Sequence, residues 1–160
     1  MPNNNTELRS HVLALLRGGS AHATLDQALR GLPVNLAGRR PPHAPHTAWQ
    51  ILEHMRIAQS DLLEFSRRAD HVSPAFPEGY WPPTPAPPSP AAWRKCRAQL
   101  RADARAFQAL VADPRRDLLA PLPHAPGKTL LREALILADH NAYHLGALVQ
   151  LRRLLGAWKS

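Results

Sequence analysis

Apolar residues recur along this chain at the spacing of helix faces. Leu8, Val12 and Leu15 open the pattern, and Leu25, Leu29 and Leu32 resume it after Gly18-Gly19. This stretch predicts one bent helix or two short ones, with His22 on the face of Leu25 and Leu29. A second stripe reads Ile51, His54/Met55, Ala58, Leu62 and Phe65. A third reads Trp93, Cys96, Leu100, Ala104, Phe107 and Val111. The fourth reads Leu130, Ala134, Leu137, His140, His144, Leu148, Leu151 and Leu155. Steps of three or four residues place each set on one side of a 3.6-residue turn.

Proline and capping residues set the boundaries. None of the 17 prolines falls in 46–69, 91–113 or 127–160. Proline costs about 3 kcal/mol inside a helix, so these windows are predicted helices. A fourth window lies between Pro2 and Pro33. Thr47 and Gln50 have the spacing of a capping box. Ser89-Pro90 is a cap followed by proline at the first helical position. Asp113-Pro114 stops the third helix, the fourth starts near Thr129, and Gly156 closes it.

Four amphipathic helices must cover one another's apolar stripes, so an all-α four-helix bundle is predicted, as one domain over 1–160 without repeats. The segment 70–88, between the second and third helices, holds Pro74, Pro77, Pro82, Pro83, Pro85, Pro87 and Pro88 with Tyr80 and Trp81. So long and stiff a linker fits a crossover over one end of the bundle, with the helices it joins running parallel.

Composition agrees with helix. The chain is 44% apolar, mostly Leu and Ala, and only 6% aromatic. The single cysteine, Cys96, is in phase with Trp93 and Leu100 and reads as buried filler. It excludes an intrachain disulfide and suits a reducing compartment. The polar segment Met1–Thr6 has no apolar signal-peptide core, and no apolar run approaches the roughly 20 residues of a membrane span. A cytoplasmic protein with no membrane partner is expected. The formal charge of +8 raises a nucleic-acid partner. The basic residues are scattered as short pairs such as Arg67-Arg68 and Arg152-Arg153, so no nucleic acid is expected.

The chemistry rests on histidine. His140 and His144 are four residues apart in a strong helical pattern, and His54 is in phase with Ile51, Ala58 and Leu62. Two helices therefore aim three imidazoles at one core. Two readings stand at this point: buried, hydrogen-bonded histidines, or ligands of a divalent metal that satisfies one nitrogen on each ring. Neutral imidazoles suit zinc, nickel, iron or copper.

The motifs Trp49-Gln50-Ile51-Leu52-Glu53-His54 and Asp139-His140-Asn141-Ala142-Tyr143-His144-Leu145-Gly146 resemble the two metal motifs of the DinB/YfiT-like superfamily. Pro74 to Pro82 and the Gly18-Gly19-Ser20-Ala21-His22 stretch share the likeness. The resemblance implies a bundle with a long crossover, and a metal held by His54, His140 and His144. It also implies a homodimer and a metal-dependent thiol S-transferase or hydrolase acting on a small-molecule substrate, such as a low-molecular-weight thiol. Zinc or nickel leads the metal choice. The alternative is a non-catalytic, metal-stabilised stress-response or ligand-binding module. One departure is Ala147, where a glutamine often stands. His22 is the candidate partner beyond the ligands, as a proton carrier looking into the same cavity. Glu53, Asp139 and Asn141 are expected to point sideways, and Tyr143 to pack between helices. Tyr80 and Trp81 are expected to anchor the crossover or wall a pocket. His43, His46, His71 and His124 read as solvated loop residues.

Overall fold

The computed structural model describes residues 4–158, so Met1 and Pro2, at the start of the polar segment and first window, lie outside the described residues. The chain forms α1 (Asn4–Arg17), α2 (Leu25–Leu29), α3 (Val34–Ala37), α4 (Ala48–Arg67), α5 (Pro90–Ala112) and α6 (Leu130–Leu154). One turn of 3₁₀ helix covers Glu78–Tyr80, and a hairpin pairs β1 (Pro121–Leu122) with β2 (Ala125–Thr129) antiparallel. Among the described residues the fold is mostly helical with this one small sheet.

Each predicted boundary has a local cause. Gly18 and Gly19 end α1 at φ +68° and +91°, the left-handed region where a side chain is strained. The first window therefore holds separate helices, not one bent helix. Ser89 Oγ accepts the Ala92 N–H at 3.1 Å, and Thr129 Oγ1 accepts the Arg132 N–H at 3.1 Å. At α4, Thr47 Oγ1 accepts the Gln50 N–H at 3.2 Å while Gln50 Oε1 accepts the Thr47 N–H at 3.0 Å. The same hydroxyl donates to the Pro85 carbonyl at 2.6 Å, tying the helix start to the crossover. Thr47 is fully buried. Thr47→Ala should therefore cost about 2 kcal/mol, with both a cap and a buried acceptor's partner lost. Thr47→Ser should recover most of it in denaturant titrations.

α4 and α5 run side by side in the same direction. Trp49 meets Trp93 with ring centroids 6.5 Å apart, Gln59 Nε2 donates to the Leu100 carbonyl at 2.6 Å, and Leu63 shares a core cluster with Phe107. Numbers rise together on both helices, so a long connection is obligatory. α6 runs against them. Its end, Leu145 to Leu151, packs with the starts of α4 and α5, and its start, Leu130 to Leu137, packs with their ends and with Val12 of α1. The crossover lies close to the helices. A Cβ on Gly38, just past α3, would come within 2.5 Å of the Ala86 Cβ.

Candidate metal centre

The packing of α6 on α4 brings three imidazoles to one point. His54 lies near the middle of α4, and His140 and His144 lie one turn apart on α6. Ring centroids are 4.9 Å apart for His54–His140, 4.6 Å for His54–His144 and 4.5 Å for His140–His144. One ligating nitrogen from each ring lies within 4.8 Å of the others. Two nitrogens bound to one tetrahedral zinc lie about 3.3 Å apart, given bonds of about 2.0–2.1 Å. The Nε2 atoms of His54 and His140 are 3.0 Å apart. This set of neutral nitrogen donors fits a divalent ion of the zinc type.

The protonation pattern points the same way. His54 Nδ1 lies 2.8 Å from the Tyr80 carbonyl, which can only accept, so this nitrogen carries the proton. In a neutral ring, Nε2 is then a bare lone pair facing His140. His140 Nδ1 is buried with no partner. Burial lowers the pKa of all three rings. His144 falls farthest, to about 3, with the His140 and His54 rings adding to the effect. A cluster of converging ring nitrogens that resists protons is suited to a cation that brings no proton.

The crossover roofs this group. The Tyr80 hydroxyl donates to Asp61 at 2.6 Å, and Asp61 also bonds His71 Nε2 at 2.7 Å. Burial and the Asp61 carboxylate push the Tyr80 pKa up to about 12. Both bonds pin the segment whose carbonyl orients His54. Trp81 stacks on His54 at 3.9 Å with planes 2° apart, and His46 stacks on Trp81 at 4.1 Å.

A family model described as the DinB superfamily matches residues 7–148. The chain belongs to the DinB superfamily. No curated protein and no solved structure matches it significantly. Superfamily membership and the three-histidine group together fit a metal-binding protein.

Other residues of this DinB chain stand differently from their sequence reading. Asn141 turns inward: its Nδ2 donates to Gln59 Oε1 at 3.0 Å, and its Oδ1 is buried without a partner. Asp139 is exposed, and Glu53 turns to Arg56, as their sideways reading expects. Tyr143 is 75% exposed, so it does not pack between helices. It meets His144 edge-on at 5.0 Å. His22 is exposed and bonds the neighbouring Ala23 carbonyl, and the cavities it lines contain none of the three histidines. Gly18-Gly19 swings it away from that group. Cys96 is 3% exposed, and burial pushes its thiol pKa up, which suits a filler. Of the supposed solvated histidines, His43 alone is exposed. His71 anchors to Asp61, His124 bonds the Phe65 carbonyl at 2.7 Å, and His46 joins the Trp81 stack. Among the described residues, no helix is long and apolar enough to cross a membrane.

Proposed function

We propose that His54, His140 and His144 hold one divalent ion, zinc or nickel, and leave coordination positions open to a small-molecule ligand. The observation that carries this is the 3.0 Å approach of two Nε2 atoms, one of them fixed as a lone pair by the Tyr80 carbonyl. In the same reading, metal binding at His140 Nε2 puts the proton on Nδ1 and pairs it with Asn141 Oδ1. Both atoms are buried and otherwise unpaired, and they belong to adjacent residues. The Asn141 side chain also pulls the His140 pKa upward against burial, as a hydrogen bond to the ring does. The four long helices would form the bundle that holds these parts in place.

When bound, such an ion supplies Lewis acidity and lowers the pKa of a water or thiol toward neutrality. Three neutral ligands leave its charge uncompensated, which favours anions at the open positions. The chain's own residues orient the rings, and Trp81 shields one face of His54 from water. Structural zinc sites are closed by four protein ligands, whereas here three converge beside a cavity lined by His144. An open site favours a metal-dependent thiol S-transferase or hydrolase over a purely structural ion.

Elemental analysis of protein purified without a His tag tests the ion. One equivalent is expected in wild type and none in His54→Ala; equal content in both refutes the reading. Turnover of electrophiles with small thiols, with and without metal, tests the reaction. A loaded protein inert to every thiol and ester offered would be a binding module instead.

The lowered pKa values give a further expected result. Three ordinary imidazoles would release about two protons on metal binding at pH 6. This site should release fewer, because burial lowers the pKa of all three rings and leaves His144 neutral at that pH. Calorimetry in two buffers of different ionisation enthalpy reads the number directly.

A further inference from the structure

We infer that the ligand of this site has an anionic donor group at one end and an uncharged, apolar body at the other; the inference rests on the metal reading above. A cavity of about 580 Å³ adjoins the histidine group, within the range of small-molecule sites. His144 and Trp81 belong to its wall, so the cavity reaches one of the three proposed ligands and the ring stacked on another. Most of the remaining lining is apolar, with Pro45, Ile51, Leu151 and Leu154 prominent.

The decisive feature is what the wall lacks. One residue in five of this chain is charged, yet among the described residues no Asp, Glu, Lys or Arg lines the cavity. The cavity beside Gln59 shows the contrast, since Arg17, Arg101, Arg105 and Asp26 line it. A charged tail entering the His144 cavity would lose water and gain no ion partner. An alkyl or aryl body would gain contact with every apolar wall, and affinity would rise up to about fourfold per methylene. The anionic end follows from the uncompensated charge of an ion held by three neutral rings. Trp81 is clamped between His46 and His54, which gives the cavity one rigid aromatic wall.

The test uses the full chain loaded with cobalt(II), whose visible spectrum reports a donor arriving at the metal. Binding is titrated with n-alkyl hydroxamates from acetohydroxamate to octanohydroxamate. Affinity should climb two- to fourfold per methylene in wild type. Suberic monohydroxamic acid, as long as octanohydroxamate but ending in a carboxylate, should bind at least tenfold more weakly than octanohydroxamate. Ala147→Phe fills the cavity from an exposed helix position and should cut the ratio of octano- to acetohydroxamate affinity at least tenfold. Leu154→Asp, at the exposed position lining the same cavity, should penalise only the longer members. Cobalt uptake with a flat wild-type series overturns the inference alone. So does an undiminished series in both variants, or equal binding of the carboxylate-tailed probe. A protein that takes up no cobalt overturns the inference together with the metal reading.

Discussion

His144→Ala is expected to abolish metal loading, with affinity falling by more than about 100-fold, the most that an outer-shell change usually costs. Among the described residues the group offers no substitute donor, because the His, Cys, Asp or Glu side chains converging there are the three histidines. Two rings cannot hold the ion as three do, and the vacated volume opens toward the cavity that His144 lines. Elemental content and competition against a chromophoric chelator measure the loss.

The same variant separates ligand loss from misfolding through its acid response. In the metal-free wild type, burial and the neighbouring rings lower the His144 pKa from 6.5 to about 3. The unfolded chain then takes up a proton in a range where the folded chain does not. The neutral ring's contribution is full above pH 6.5 and is lost progressively as pH falls toward 3. Removing His144 removes that loss. The metal-free variant should therefore close on, or overtake, metal-free wild type between pH 7 and pH 4.5. Denaturation midpoints at the two pH values give the answer. A variant equally handicapped at both is misfolded, and its metal loss then says nothing about ligation.

The helices were legible because their information is local. Thr47 with Gln50, Ser89 before Pro90, and Thr129 each cap where their spacing predicts, since a cap is settled by residues three apart. The convergence of His54 with His140 and His144 was legible for a related reason, as each ring is in phase with an apolar stripe. Polar residues that turn inward escaped the pattern. The buried face of α4 continues through Gln59, Leu63 and Ser66, where the stripe pointed to Leu62 and Phe65. In α5, Asp103 is buried at the turn where the stripe expected Ala104. The hairpin of β1 and β2 gave no signal, because a two-residue strand has no periodicity and each strand carries a proline. His46, His71 and Asp61 gained their roles from where the crossover comes to rest. Nothing near them in the chain encodes that position; it depends on Tyr80 and Pro85 finding partners on α4 and at its cap.

Gln59→Leu should weaken metal binding by about 10- to 100-fold although Gln59 touches no proposed ligand. The argument begins at a backbone carbonyl. Leu100 C=O can only accept, so Gln59 must turn its NH₂ toward it and its Oε1 toward Asn141. Asn141 must then donate through Nδ2, which leaves Oδ1 free to accept. In the metal-bound reading, that acceptor beside His140 takes up the Nδ1 proton and frees the Nε2 lone pair, on the atom that faces His54. Gln59 is 1% exposed, so leucine fills its space while two buried polar groups lose their partners. Asn141 can then flip, and His140 loses its preference between tautomers. Stability should fall as well, which alone would not distinguish a relay from a packing defect. Two readouts do. The ¹⁵N shifts of His140 in the zinc-loaded protein should lose the ordered Nδ1–H pattern of wild type. In addition, Asn141→Leu and the double variant should lose the same metal affinity within about twofold, because removing either link already breaks the chain. Additive losses with unchanged His140 shifts would place Gln59 in the core alone and leave the ring of His140 to be oriented by the metal.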